Sequence, residues 1–307
     1  MKKLMLMAAA AVALSPVAAH ACACGCGVFD VSTGSMMPTS EGGSVWLEYD
    51  YLNQTQNWHG THSAPSGDNT DKLIHTDFIT AGGQYMFNRH WGVEAEVPYW
   101  SRNFKTQTDD PNPGDAPTFH SQDFGDVRLK AIYTGLSPDM STGLTLGLKL
   151  PTGNFTAENF DRDTQIGTGS TDLLIGAYHM GTLTEKGDFN WFVHGQWAQP
   201  VAVQDHYRPG DEINVATGVY YESFDLGKAG KIAPLMQVIG SAKMRDRGVN
   251  AHPEDTGYSR LFISPGVEYD INKIKLYTDV ELPVAQNVSG NQLVAPVAVK
   301  FIVGYSF

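Results

Sequence analysis

The sequence predicts an all-β protein, a transmembrane antiparallel up-and-down β-barrel of about 12 strands. Three observations carry this prediction. Apolar and polar residues alternate with a period of two along most of the 307-residue chain, which is typical of strands with two different faces. The connections between these strands alternate between long and short. The chain also begins with a segment that directs export.

Residues 1–21 form the predicted signal peptide. Two lysines precede an apolar run from Leu4 to Leu14, and Ala19-His20-Ala21 is typical of a cleavage site. The run is too short to cross a bilayer as a helix, and no later apolar run is long enough. We therefore expect an exported protein that crosses no membrane with helices and whose mature chain begins at Cys22.

The composition narrows the classes of partner and the domain organisation. The net charge of −12 argues against nucleic acid and anionic lipid headgroups as partners. All 3 cysteines stand before residue 27, so no disulfide framework spans the chain. We predict a flexible, cysteine-containing periplasmic segment at residues 22–43 and a single outer-membrane barrel at residues 44–307.

The last predicted strand shows the alternation most clearly. Its apolar residues share one face from Val297 to the terminal Phe307, with Lys300 on the other face. The same alternation predicts strands at 45–51, 93–99, 127–133, 144–150 and 274–282. Weaker patterns predict strands at 74–87, 173–180, 191–200, 213–221, 232–242 and 261–269.

The connections determine the predicted architecture. Those at 53–72, 102–123, 152–171, 201–211, 243–259 and 285–293 are long or fairly long. Those at 88–90, 135–141, 181–188 and 270–273 are short, and 222–230 is intermediate. This sorting is typical of outer-membrane barrels, with tight turns in the periplasm and long loops outside. We expect the loop 102–123 to fold inward as a constriction.

Prolines recur near the predicted long-loop ends of several strands, at Pro98, Pro151, Pro200 and Pro283. Proline has no amide hydrogen to donate to a neighbouring strand. We therefore expect strand pairing to stop at these positions.

The charged strand residues are predicted to line the barrel lumen. Facing lipid, a basic residue at mid-depth would cost about 2–4 kcal/mol, whereas a water-filled lumen tolerates charge. The predicted lumen residues are Glu48, Asp50, Glu94, Glu96, Asp126, Arg128, Lys130, Lys149, Lys275, Asp279, Glu281 and Lys300. Two interpretations remain open. These charges select solutes across an open lumen, or they form ion networks that fill the lumen and brace its wall.

Two parts of the chain resemble known outer-membrane proteins. The final strand, VKFIVGYSF, resembles the C-terminal signature that the barrel-assembly machinery reads, with Phe301, Val303, Tyr305 and Phe307 on its apolar face. GLKLPTG (residues 147–153) and GTGSTDLLIGAY (residues 167–178) resemble the outer-membrane family named after the meta-pathway of phenol degradation. This second resemblance covers the chain from about residue 44 onward.

The resemblance implies a porin-like channel for passive uptake or efflux of small solutes, aromatic compounds among them. The expected partners are outer-membrane lipid, the assembly machinery and a small-molecule solute. An enzyme is not expected, because no histidine has a serine two residues later, as in outer-membrane phospholipases. The chain also lacks the G-x-S-x-G, H-E-x-x-H and P-loop motifs.

The cysteine cluster Cys22, Cys24 and Cys26 leaves three interpretations open. Alternating thiolates suit a soft metal such as Cu or Zn. The thiols of an uncommitted tail would instead oxidise in the periplasm, and an N-terminal cysteine is also what a lipid anchor requires. The alternative function is therefore a non-conducting barrel, a binding or structural protein whose cysteine cluster binds a soft metal. No other cofactor is expected.

Overall fold

The computed structural model describes residues 37–107, 116–222 and 224–307. Within these residues twelve antiparallel strands close into one barrel, as the alternation predicted. In chain order the barrel strands are β1 (Gly42–Gln54), β2 (Asp71–Met86), β3 (Trp91–Thr106), β4 (Thr118–Phe124 and Arg128–Tyr133), β5 (Thr142–Lys149), β6 (Ser170–Thr182), β7 (Phe189–Val203), β8 (Glu212–Tyr221), β9 (Lys231–Lys243), β10 (Tyr258–Ile271), β11 (Ile274–Val294) and β12 (Ala298–Ser306). No helix in the described ranges is long and apolar enough to cross a membrane.

The first and last strands close the barrel. β1 pairs with β12 from Ser44 opposite Ser306 to Leu52 opposite Ala298. At the end of the barrel that carries the short turns, Gly43 and Phe307 exchange backbone hydrogen bonds of 3.2 and 2.8 Å. This seam satisfies the edge that an open sheet would expose to lipid, where unpaired amides cost several kcal/mol each.

The two faces of β12 illustrate how the wall is built. Phe301, Val303 and Tyr305 point outward and remain 42, 39 and 46% exposed, whereas Lys300 and Ile302 point inward and are buried. The other strands repeat this arrangement, with large apolar side chains on the outer surface. An apolar outer band and a polar interior are what a lipid-embedded barrel requires.

The alternation of long and short connections is largely present, with one exception. The region 285–293 was predicted to be a long loop, but β11 continues to Val294, and only residues 295–297 connect it to β12. The extension of β11 pairs with the short strand Gln56–Gly60, so its backbone is hydrogen-bonded although its sequence is polar. The predicted loop 102–123 is likewise shorter, because its outer parts pair as strand from Arg102 opposite Ser121 to Lys105 opposite Thr118.

The prolines do not end strand pairing as predicted, except Pro151, which follows β5. Pro98 lies within β3, opposite the break in β4, and accepts a 2.8 Å hydrogen bond from Gly125. Pro200 and Pro283 lie within β7 and β11, beside shifts in strand register. Proline is tolerated at such irregularities because one ladder donor is already missing there.

Gly82 provides a test of packing inside the wall. A Cβ added at Gly82 would lie 2.1 Å from the Trp46 ring, while one added at Gly83 would lie 3.4 Å from Val45 on the outer surface. Because Trp46 is buried, we expect Gly82→Val to lower the free energy of unfolding by about 1–3 kcal/mol. The measurement is the temperature at which the detergent-solubilised barrel loses its compact mobility on SDS gels. Gly83→Val is the matched control, and equal stability of the two variants would contradict this packing.

Candidate functional site

The predicted lumen charges lie on the inner face and pair mainly between adjacent strands. Lys130 on β4 contacts Glu94 at 2.8 Å and Glu96 at 3.3 Å, both on β3, and Arg128 lies 3.9 Å from Glu96. The side chains are 15% exposed or less. Two cations therefore balance two carboxylates within the wall, and this part of the inner surface carries no net charge.

A second group surrounds Lys300 on β12 and has an excess of carboxylates. The ammonium lies 3.6 Å from Glu48 and 3.7 Å from Asp50, both on β1. On the other side, Asp279 of β11 is directly opposite Lys300 in the register, and Glu281 is the next inward residue of that strand. One ammonium thus stands among four carboxylates, of which Asp50, Asp279 and Glu281 are buried and Glu48 is partly buried.

Asp279 is held by neutral donors. Its Oδ2 accepts hydrogen bonds from Gln237 (2.7 Å), Ser264 (2.6 Å) and the Tyr277 hydroxyl (2.7 Å). All three donors are buried. The lumen side formed by β9 to β12 is therefore filled with a hydrogen-bonded network, which narrows the space left for a solute.

A third group of charges contains two carboxylates that were not among the predicted lumen residues. Lys275 contacts Glu268 at 2.8 Å and Asp270 at 3.8 Å near the short turn 272–273. The sequence V-E-Y-D at 267–270 alternates in the same way as the predicted residues. The period-two pattern was therefore available to find both of them.

Asp126 holds the loop 150–169 against the barrel wall. Its carboxylate accepts hydrogen bonds from the amides of Gly153 (3.0 Å) and Thr168 (2.9 Å) and from the Thr168 hydroxyl (2.6 Å). Lys149 lies 3.7 Å away and also contacts Asp172 at 2.6 Å. One buried side chain thus holds both ends of the loop 150–169.

The motifs GLKLPTG and GTGSTDLLIGAY meet beside Asp126. Gly153 ends GLKLPTG and Gly167 begins GTGSTDLLIGAY, and a Cβ added at Gly167 would lie 2.1 Å from the Gly153 carbonyl oxygen. The Thr152 hydroxyl accepts from the Val127 amide and donates to the Gly125 carbonyl, each at 2.9 Å. The motif residues therefore bridge the break in β4 and bring the two loop ends into backbone contact.

The loop 150–169 folds inward, whereas the described ends of the predicted constriction 102–123 pair as strands. Arg102 on β3 is completely buried and donates to the backbone carbonyls of Thr164 and Gln165. Phe160 packs against the cluster of Ile74, Phe104 and Leu293. The loop folds inward because wall residues satisfy its carbonyls and cover its aromatic ring. Residues 108–115 lie outside the described ranges.

Arg162 in this loop lies between two aromatic rings. Its guanidinium carbon is 4.8 Å from the Phe155 ring centre and 4.2 Å from that of Tyr207, a favourable cation–π geometry. Burial lowers the pKa of Arg162 and raises that of Tyr207 well above its usual value. The Tyr207 hydroxyl donates to Asp246 at 2.5 Å. Arg162 and Tyr207 thus link the loop 150–169 to the connections that follow β7 and β9 at the same end of the barrel.

The start of the described chain enters the barrel at the end that carries the short turns. Met37 is buried in a cluster with the inward residues Tyr178, Phe192, Ala216, Ile239 and Phe262. One space lies between residues 37–43 and the wall formed by β1, β11 and β12. A second space lies beside β7 to β10. Met37 lines both spaces and therefore separates them.

A third space lies toward the end of the barrel that carries the long loops. It lies between the loop 150–169 and the wall, and charged residues that include Asp126, Lys149, Arg162 and Lys243 contribute to its lining. The arrangement is chemically suited to small solutes, because spaces of mixed polarity lie beside the narrow points formed by Met37 and the loop.

Two groups of predicted site residues remain predictions. Cys22, Cys24 and Cys26 lie outside the described residues. Among the residues that are described, no group of three or more His, Cys, Asp or Glu could hold a metal ion. Phe301, Val303, Tyr305 and Phe307 all face outward and are 39 to 55% exposed, but their role in barrel assembly is not tested by this placement.

Comparisons with known proteins bear on the fold. The family model described as outer membrane protein beta-barrel domain matches residues 7–221. An outer membrane channel from Pseudomonas putida F1 is similar in structure with a TM-score of 0.66 at 13% identity, over 91% of this chain and 100% of that chain. The beta domain of a Bordetella autotransporter has a TM-score of 0.53 at 12% identity, over 87% and 100%. No curated protein matches the sequence.

Asp126→Ala is expected to release the loop 150–169, because it removes three hydrogen bonds and an ion pair at the loop ends. The expected result is trypsin cleavage after Arg162 at least about tenfold faster than in the wild-type protein. The measurement is a time course of proteolysis on the folded protein in detergent, with heat-modified mobility confirming the fold. Asp123→Ala is the control, since half-buried Asp123 accepts, within the described part of the chain, only from the Phe124 amide at 2.8 Å. Equal cleavage of the two variants would refute the role of Asp126.

Proposed function

We propose that this chain, which belongs to the outer membrane protein beta-barrel domain family, is a channel for passive diffusion of small solutes across the bacterial outer membrane. The observation that carries the proposal is the lumen itself. Spaces with mixed polar and apolar linings lie beside the inward loop and beside Met37. A barrel serving only as a membrane anchor has no need of such spaces.

The proposed mechanism selects solutes by bore and by charge. The network of β9 to β12 and the loop 150–169 limit the size of a solute. Most lumen cations are balanced locally by carboxylates on adjacent strands, so they brace the wall. The excess of carboxylates around Lys300 remains as the main source of charge selectivity, since a charged constriction favours ions of the opposite sign.

The finer family assignment is part of the proposal. The joined motifs GLKLPTG and GTGSTDLLIGAY support membership in the family named after the meta-pathway of phenol degradation. The cluster around Met37 supports an apolar or aromatic solute. We also propose that the short turns and residues 22–43 lie on the periplasmic side of the membrane. The loop 150–169 then lies at the extracellular end of the barrel.

Lys300→Gln is expected to shift the channel toward cation selectivity, because four carboxylates then stand without their central ammonium. Single-channel recordings in planar bilayers with a KCl gradient give the reversal potential. We expect it to move toward the K⁺ equilibrium potential in Lys300→Gln and to remain unchanged in Lys300→Arg, which keeps the charge.

Lys228→Gln removes one lysine from an exposed periplasmic turn and is the control for net charge. A reversal potential that shifts equally in Lys228→Gln and Lys300→Gln would refute the selectivity mechanism. Folded wild-type protein that shows no single-channel steps would refute the channel itself.

A further inference from the structure

We propose that the lumen contains a binding site for a small carboxylate with an apolar body. The apolar body occupies the position of the Met37 side chain, and Arg260 binds the carboxylate. This inference rests on the proposed function, because it names the class of solute that the channel admits. Two neighbouring rows of inward-facing residues form the site.

The first row is largely apolar. Tyr178, His194, Ala216, Ile239 and Phe262 lie side by side on β6 to β10 in the strand register. Four of these five belong to the cluster that encloses Met37. An apolar row on the inner wall of an otherwise polar barrel would be costly to expose to water, at about 25 cal/mol per Å². Met37 covers it.

The second row is polar and lies one inward position toward the extracellular end. Gln196, Asn214, Ser241, Arg260 and Gln286 are side by side on β7 to β11. Successive inward residues of a strand are about 6.6–6.8 Å apart. A ring held at the apolar row can therefore present a carboxylate to the polar row.

Arg260 differs from the other cations of the inner wall. Lys130, Lys149, Lys275, Lys300 and Arg128 each lie within 3.9 Å of at least one carboxylate. Among the described residues, Arg260 has no ion-pair partner, and its guanidinium carbon lies 4.1 Å from the Tyr258 ring centre. The ring lies against one face of the guanidinium, and it is the edge of a guanidinium that binds carboxylates in a bidentate manner.

Buried polar atoms of this row lack hydrogen-bond partners in the described part of the chain. They are Nε and Nη2 of Arg260, the hydroxyl of Ser241 and Oδ1 of Asn214. A buried donor without a partner is destabilising, and more so when it is charged. A bound carboxylate would accept from Arg260 and Ser241 together, which satisfies the donors that the wall leaves unpaired.

Met37 indicates the chemistry of the apolar part. Met37 is not part of the wall. Its side chain is nevertheless only 5% exposed, because it lies among aromatic residues of the wall. Methionine sulfur packs favourably against aromatic rings. A small aromatic ring matches the same surroundings, so Met37 and the solute compete for one position.

Isothermal titration calorimetry on the folded protein in detergent tests the proposal, with benzoate, benzamide and acetate as probes. We expect benzoate to bind at least about tenfold more tightly than either of the others, because only benzoate has both the ring and the charge. Arg260→Gln should reduce benzoate binding to the level of benzamide. Met37→Ala should tighten benzoate binding severalfold by removing the competing side chain.

Arg89→Gln, in an exposed periplasmic turn, is the matched control and should bind benzoate like the wild-type protein. If Arg260→Gln does not fold, as judged by heat-modified mobility, Arg260→Lys should still weaken benzoate binding because it loses the planar fork. Equal binding of benzoate and benzamide, equal binding of benzoate and acetate, or no benzoate binding at all would overturn the proposal. Absence of channel steps in bilayers would refute the channel, whereas the calorimetry decides the site.

Discussion

The hydrogen bonds that close β1 onto β12 are the constraint on which the rest of the structure depends. Lipid offers no partner to a backbone amide, so every strand needs two neighbours. Closure in turn assigns each side chain to the lipid or to the lumen by its position in the pleat. The charged side chains of most strands then point into the interior. Because they lie close together there, ion pairs between adjacent strands offset the cost of burying their charges.

This pairing explains why the lumen is narrow. Lys130 and Lys300 form ion pairs with carboxylates on adjacent strands, and the hydrogen-bond donors around Asp279 fill the space between strands. Two segments that are not strands occupy the rest, the loop 150–169 and the short stretch that carries Met37. The lumen is thus shaped by a rigid wall and two separate insertions.

The sequence was sufficient to predict the strands and the inward position of the lumen charges, because both follow from a period of two. It was not sufficient to identify their partners, since pairing depends on the register between strands distant in sequence. The polar extension of β11 was missed because its partner, Gln56–Gly60, lies more than 200 residues earlier in the chain. Arg260 was missed because the predicted strand began one residue after it, at 261.

The sequence did not identify 150–169 as an inward loop. Its length and polarity are similar to those of 102–123, and what distinguishes it is its tertiary contacts. Arg102 was counted as part of the loop 102–123, yet it is a wall residue that binds the loop 150–169 through Thr164 and Gln165. Asp126 was among the predicted lumen residues, but its hydrogen bonds to Gly153 and Thr168 depend on the fold.

The contact between Gly153 and Gly167 has a consequence for how such a protein can change. Because the two ends of the loop meet and share one carboxylate, the residues between them form a cassette whose length does not affect the register of β5 and β6. Insertions or deletions within this cassette would remodel the extracellular half of the lumen without disturbing the wall. Natural variation in permeability could therefore accumulate there while the barrel itself stays the same.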